Sequence, residues 1–187
     1  MGTIKENLEK IRQVIAAKAI LTGRNTGDIT LVAVTKTVPA DRINEAIALG
    51  VTDLGENKVQ EAEQKFPLIN GKVTWHLIGH LQTNKVKAAL AIFDLIHSVD
   101  SLKLAREISK QAQNVGKVQS ILLEVNISGE ESKFGLKKEE VMDLLRQISV
   151  LPNIKVCGLM TMAPFVEDEA AVRSVFKGLK ELAGQAR

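Results

Sequence analysis

Lys36 ends the first apolar run of the chain, Leu31-Val32-Ala33-Val34-Thr35-Lys36. A lysine at the end of a buried strand points into the mouth of a parallel sheet. Low dielectric there disfavours the ammonium and lowers its pKa. A neutral amine can attack an aldehyde and form an imine. An ordinary solvated lysine suits the same place, and position alone favours the ordinary one. Other polar residues also collect where apolar runs give way to loops: Thr35; Glu56 and Asn57; His80, Gln82 and Asn84; His97, Ser98 and Asp100; Asn126 and Ser128; Thr161. Strands ending in surface loops would be polar too, so the set gains meaning only from the architecture around it.

Three further features have bland readings that outweigh chemical ones. His76 and His80 are four apart, which on a helix would suggest a metal pair. Residues 75–78 read as strand, however, and no Cys or close carboxylate completes a ligand set, so a structural or hydrogen-bonding role is preferred and no metal is expected. His97 is read as structural as well. Cys157 sits inside an apolar run and reads as a small buried core residue in mid-strand. The Met160 and Met162 pair reads first as gap-filling. The loop Gly129-Glu130-Glu131-Ser132-Lys133-Phe134-Gly135 either closes over a ligand or caps the strand before it; its glycine spacing is not that of a phosphate-binding P-loop.

The elements that must position these residues alternate along the whole chain. Thr3 and Glu6 form a candidate capping box, and Ile4, Leu8, Ile11 and Ile15 follow at helical spacing. The run 31–36 is continuous rather than alternating, as suits a parallel strand buried on both faces. Pro39 opens a helix with Ile43, Ala46 and Ile47 inward, and Gly50 ends it. A short strand near 53–54 leads to a helix carrying Val59, Ala62 and Phe66, stopped by Pro67. Strand 75–78 leads to a helix with Val86, Leu90 and Phe93. Strand 95–99 leads to one with Leu102, Ala105, Ile108 and Ala112. Strand 120–127 leads to Val141, Leu144, Leu145 and Ile148. Strand 154–160 leads to Val172, Val175, Phe176, Leu179 and Leu182. Such β-then-α units predict a parallel sheet covered by helices. A doubly wound open sheet and a (β/α)8 barrel both remain open. No G-x-G-x-x-G follows the first strand, against the dinucleotide-binding version; about six strands are present, two short of a closed barrel.

Composition narrows the class. Of 187 residues, 45% are hydrophobic and 25% charged, ordinary for a globular protein. The net charge of +3 is spread as interleaved Lys, Arg, Glu and Asp along helices, which are solvated faces rather than a nucleic-acid footprint. The single Cys permits no internal disulfide and fits a reducing compartment. No apolar run approaches the ~18 residues of a membrane helix, and Met1 to Lys10 is no signal peptide. A cytoplasmic protein without membrane or nucleic-acid partners is expected.

The strand-end segments, taken in order, resemble the YggS/PROSC family of pyridoxal phosphate homeostasis proteins. They are Val32-Ala33-Val34-Thr35-Lys36-Thr37; Leu54-Gly55-Glu56-Asn57-Lys58-Val59-Gln60-Glu61; Trp75-His76-Leu77-Ile78-Gly79-His80-Leu81-Gln82-Thr83-Asn84-Lys85; His97-Ser98-Val99-Asp100-Ser101; Val125-Asn126-Ile127-Ser128 with Ser132-Lys133-Phe134-Gly135; and Gly158-Leu159-Met160-Thr161-Met162-Ala163-Pro164. The resemblance implies a TIM barrel of the alanine racemase N-terminal type, with residues 1–187 as one domain lacking the last two strands. It implies that Lys36 carries pyridoxal 5'-phosphate as a Schiff base, in a monomeric carrier or regulator of vitamin B6 without established turnover. Asn57 and His80 are expected beside Lys36 because their loops leave adjacent strands, and Met160 and Thr161 are expected to line the same mouth.

The family continues beyond this point with a strand and a Ser-Met-Gly-Met-Ser-type loop, then an Arg-Ile-Gly-type strand end, which supply most of its phosphate grip. These 187 residues alone are therefore expected to hold the cofactor weakly or not at all. The alternative is an amino-acid racemase of the same barrel type. The alanine racemase mechanism needs acid/base groups on both faces of the substrate carbon, one of them a tyrosine from a second domain; this chain contains no tyrosine. A third reading, a cofactor-free barrel enzyme using His80 and carboxylates, is distinguished by the absence of a yellow imine colour.

Overall fold

The apolar runs form strands that pair in chain order. In the computed structural model, which describes residues 2–130 and 134–186, the strands are β1 (Val32–Val34), β2 (Asp53–Glu56), β3 (Thr74–Leu77), β4 (Leu95–Val99), β5 (Gln119–Glu124) and β6 (Ile154–Met160). They make one sheet of order β1-β2-β3-β4-β5-β6, parallel at every pairing. Parallel neighbours need a crossover, and a helix supplies each one: α2 (Ala40–Ala48), α3 (Val59–Lys65), α4 (Val86–Ile92), α5 (Leu102–Asn114) and α6 (Val141–Ile148). The helix α1 (Ile4–Leu21) precedes the sheet and α7 (Glu169–Gln185) follows it.

Two observations decide between the architectures. The strand order never reverses, so there is no switch point of the doubly wound kind. The sheet is also covered on one face only. Leu54, Trp75, Leu77, Ile96, Ile121 and Leu123 are buried and join Ile43, Val59, Ala62, Leu90, Ile108 and Ile148 of the helices in one core. On the opposite face stand Val34, His76, His97, Leu122, Lys155 and Cys157; Val34, Lys155 and Cys157 are exposed. One-sided helical cover with sequential order is the pattern of a (β/α) barrel wall, here a partial barrel with β1 and β6 each paired on one side.

Local signals hold the helices in place. The Thr3–Glu6 capping box is formed at α1, Ser101 caps α5, and Asp168 accepts from the amides of Ala170 and Ala171 at α7. Arg12 of α1 donates to the carbonyls of Leu49 and Gly50 at 3.1 and 2.7 Å, tying α1 to the end of α2.

Some expectations are corrected. β1 is Val32–Val34, shorter than the run 31–36, and β5 ends at Glu124 rather than 127. Cys157 is in mid-strand but exposed, because its side chain leaves the helix-free face of edge strand β6. Ile11, Phe66 and Phe176 are exposed at 45%, 45% and 51%, although helical spacing assigned them inward. Phe66 lies past α3 in a 3-10 turn with Pro67 and packs its ring on Trp75 at 5.6 Å from outside the core.

Candidate functional site

The carboxyl ends of the strands form the rim where sequence reasoning placed the chemistry. Lys36 lies just beyond β1. The Thr35 amide still donates to the Gly55 carbonyl at 2.9 Å, and the Val38 amide turns back to the Thr35 carbonyl at 3.0 Å. Lys36 therefore stands where the strand turns into the loop before α2. Its amine has no hydrogen-bond or ion-pair partner among the described residues. It is also exposed, as is Val34 beneath it. The low-dielectric enclosure expected of this lysine is absent from its surroundings, because β1 is an edge strand with no helix on that face.

Asn57 and His80, expected beside Lys36, share a cleft that Lys36 does not line. Its volume is about 560 Å³, and Lys58, Val59, Gln60, Leu81, Gln82 and Lys85 complete its lining. Gly79 makes this possible: a Cβ there would fall 2.3 Å from the Asn57 carbonyl oxygen, so the loops after β2 and β3 touch backbone to backbone. Ser98 donates to the Gly79 carbonyl at 2.7 Å and ties in β4. The His80 ring stacks on Phe134 with centroids 4.4 Å apart, and its Nδ1 lies 3.7 Å from Asp100 Oδ2. The loop after β5 thus reaches the mouth through Phe134; Glu131, Ser132 and Lys133 of that loop lie outside the described residues.

Met160 ends β6 in register with Glu124. The Thr161 hydroxyl donates to the Val125 carbonyl at 2.7 Å, so its proton is committed to fixing the β5 and β6 loops together. Neither residue lines the cleft of Asn57 and His80, and no hydrogen bond joins Lys36 to Asn57, His80, Met160 or Thr161 among the described residues. The five share one rim rather than one contact.

Two groups on the helix-free face were undervalued by the sequence reading. His76 Nε2 lies 3.0 Å from Asp53 Oδ1 and His76 Nδ1 lies 2.9 Å from His97 Nε2. The partner of His76 is thus a histidine one strand away, not His80. Burial lowers the His97 pKa to about 4, with the neighbouring His76 adding to the effect. Glu124, buried at the end of β5, has its carboxyl pushed up to about 7 by desolvation, with the Asp100 charge assisting. No sequence signal marks the histidine pair, since it depends on the stagger of β3 against β4. The sole hint of Glu124 was a carboxylate at the end of an apolar strand. A separate hollow of about 490 Å³, lined by Arg12, Ile15, Thr30, Thr52 and Asp53 among others, opens at the amino end of the sheet, away from Lys36.

Comparison with known proteins matches this arrangement. The family model described as alanine racemase, N-terminal domain, covers residues 1–187. A pyridoxal phosphate homeostasis protein of Aquifex aeolicus is 40% identical over 178 residues, which are 95% of this chain and 78% of that protein. One of Pseudomonas aeruginosa is 38% identical over 183 residues, 97% of this chain and 80% of the relative. Among solved structures, PipY of Synechococcus elongatus with PLP bound superposes with a TM-score of 0.84 at 33% identity, over 98% of this chain and 82% of that one. Alanine racemase of Bartonella henselae superposes with a TM-score of 0.74 at 13% identity, over 98% of this chain and 49% of its own, a likeness of fold alone.

Proposed function

The chain belongs to the alanine racemase N-terminal domain family, and on that premise we propose that it is a pyridoxal 5'-phosphate-binding protein of intracellular cofactor homeostasis. Lys36 is the anchor, within a single domain of the barrel type. The observation that carries the reading is the uncommitted amine of Lys36 at the rim, within a frame similar to that of a PLP-bound relative. The donor set fits the aldehyde end of the group: a primary amine free of counter-charge, which in its neutral form bonds an aldehyde carbon with loss of one water. Asn57, His80, Met160 and Thr161 stand on the same rim, and Gly79 lets the Asn57 and His80 loops close together.

The role is storage or delivery rather than turnover. Removing a proton on one face of a substrate carbon and returning it on the other needs two placed acid/base groups, and the chain has no tyrosine to serve as one. Among the described residues no helix is long and apolar enough to cross a membrane. The single Cys fits a cytoplasmic setting, and a monomeric carrier follows from the resemblance.

The test is borohydride trapping at saturating pyridoxal phosphate followed by peptide mass mapping. A reduced adduct on the Lys36 peptide is expected. An adduct confined to other lysines overturns the assignment, and racemisation of alanine, serine or glutamate above the free-cofactor rate would make the protein an enzyme.

A further inference from the structure

Behind Lys36, on the helix-covered side of the sheet, lies an ion-pair cluster that the cofactor reading does not use. Lys65, the last residue of α3, is 9% exposed. Its ammonium donates to Glu56 Oε1 at 2.7 Å, to Glu61 Oε1 at 2.6 Å and to the backbone carbonyl of Thr35 at 2.6 Å. The Thr35 hydroxyl donates to the same Glu56 oxygen at 2.7 Å. Glu61 Oε1 also accepts the backbone amide of Thr37 at 2.5 Å. The carbonyl preceding Lys36 and the amide following it are therefore each held by a charged side chain of α3.

The conformation being held is an unfavourable one. Thr37 has φ of 61°, a left-handed geometry that a β-branched residue avoids. A charge-assisted bond to its amide opposes relaxation, and its own hydroxyl closes on the Lys36 carbonyl at 2.6 Å. The charges persist. Bonds from Lys65 and from the Thr37 amide hold the Glu61 carboxyl below the usual carboxylate range. Burial acts to lower the Lys65 pKa, but its bonds to Glu56 and Glu61 outweigh that and hold it above the usual lysine range.

Stability alone is a poor reason for this cluster. Buried ion pairs are often matched by well-packed apolar side chains, and Glu56 Oε2 is buried with no partner among the described residues. What an apolar cluster could not do is grip two backbone polar groups flanking one residue. We propose that Lys65 and Glu61 are positioning residues for Lys36: they fix the peptide units on either side of it and so set the direction in which its side chain leaves the strand. The proposal rests on the reading that Lys36 carries the cofactor.

The experiment compares wild type, E61A and E61Q as full chains. The readouts are pyridoxal phosphate affinity by absorbance titration, the pH midpoint of the Lys36 linkage, and the melting temperature without cofactor. E61A is expected to lose at least about tenfold in affinity and to shift the pH midpoint, with little change in cofactor-free melting. E61Q keeps an oxygen that can accept from Thr37 and is expected to recover most of both. Wild-type affinity and midpoint in E61A overturn the proposal; if E61A is insoluble, the same two readings on K65M decide it. A wild type trapped at lysines other than Lys36 sinks the cofactor assignment and this proposal together, whereas wild-type trapping at Lys36 with unaltered variants sinks the positioning role alone.

Discussion

His76 and His97, on adjacent strands, share one hydrogen bond of 2.9 Å, and Asp53 holds the far nitrogen of His76. The carboxylate can only accept, so His76 Nε2 carries a proton toward Asp53 Oδ1 at 3.0 Å. In its neutral form His76 then accepts at Nδ1 from His97 Nε2–H, and in its charged form it donates there instead. Protonating His97 places a charge in a site largely closed to water and beside a second imidazole, which holds its pKa near 4 rather than 6.5.

Stability should therefore rise with pH across this window. The unfolded chain binds a proton on His97 below about 6.5, and the folded chain only near 4. The contribution of His97 is complete above 6.5 and is lost as pH falls toward 4. Melting temperatures measured from pH 7 to 4.5 are expected to fall more steeply for wild type than for H97Q. Parallel curves would refute the assignment.

Glu124 acts in the opposite sense. Its folded pKa of about 7 exceeds the ordinary 4.5, so the folded chain retains a proton that the unfolded chain has released. Its contribution is complete below 4.5 and is lost as pH rises through 7. E124Q keeps the shape without the charge. It should be more stable than wild type at pH 8 and equal to it at pH 4.5, by urea denaturation at both values. A destabilised variant at pH 8 would mean that the ionised carboxylate is favourably held.

Gly79 is required by contact rather than by backbone conformation. An added methyl would meet the Asn57 carbonyl at 2.3 Å and its Cα at 2.8 Å, and backbone atoms cannot rotate aside. G79A should cost about 2–3 kcal/mol and separate the Asn57 and His80 loops. Chemical denaturation reads the first effect, and chemical shifts of the Asn57 and His80 amides read the second. A variant of wild-type stability with unmoved shifts would contradict the close approach.

Cys157 provides a check on the open face of the sheet. The thiol is exposed, so one equivalent should react with a thiol reagent in the native protein within the time taken by the denatured chain, to within about tenfold. Protection by orders of magnitude would mean that this face of β6 is covered in solution.

The elements and their order are written locally in the chain, because continuous apolar runs and helical spacing are properties of neighbouring residues. Six β/α units, the capping box at Thr3 and the place of Lys36 at the end of the first apolar run were all legible in the residues themselves. The sequence could not say which side chains lie inward at the margins. Ile11, Phe66 and Phe176 match helical spacing yet are exposed, since spacing names a face and only packing decides how wide the buried stripe is.

The site divided in the same way. Strand adjacency put Asn57 and His80 beside Lys36; they line one cleft, and Lys36 is not among its lining residues. The buried charges around Lys36 could not be found, because Glu56, Glu61 and Lys65 sit in a polar-looking helix and strand end whose register against Thr35 and Thr37 is a tertiary fact. The histidine pair and the exposure of Lys36 and Cys157 were likewise decided by the tertiary structure alone. Strand stagger and the one-sided cover of an edge-bearing sheet are non-local, and no spacing within a single element encodes them.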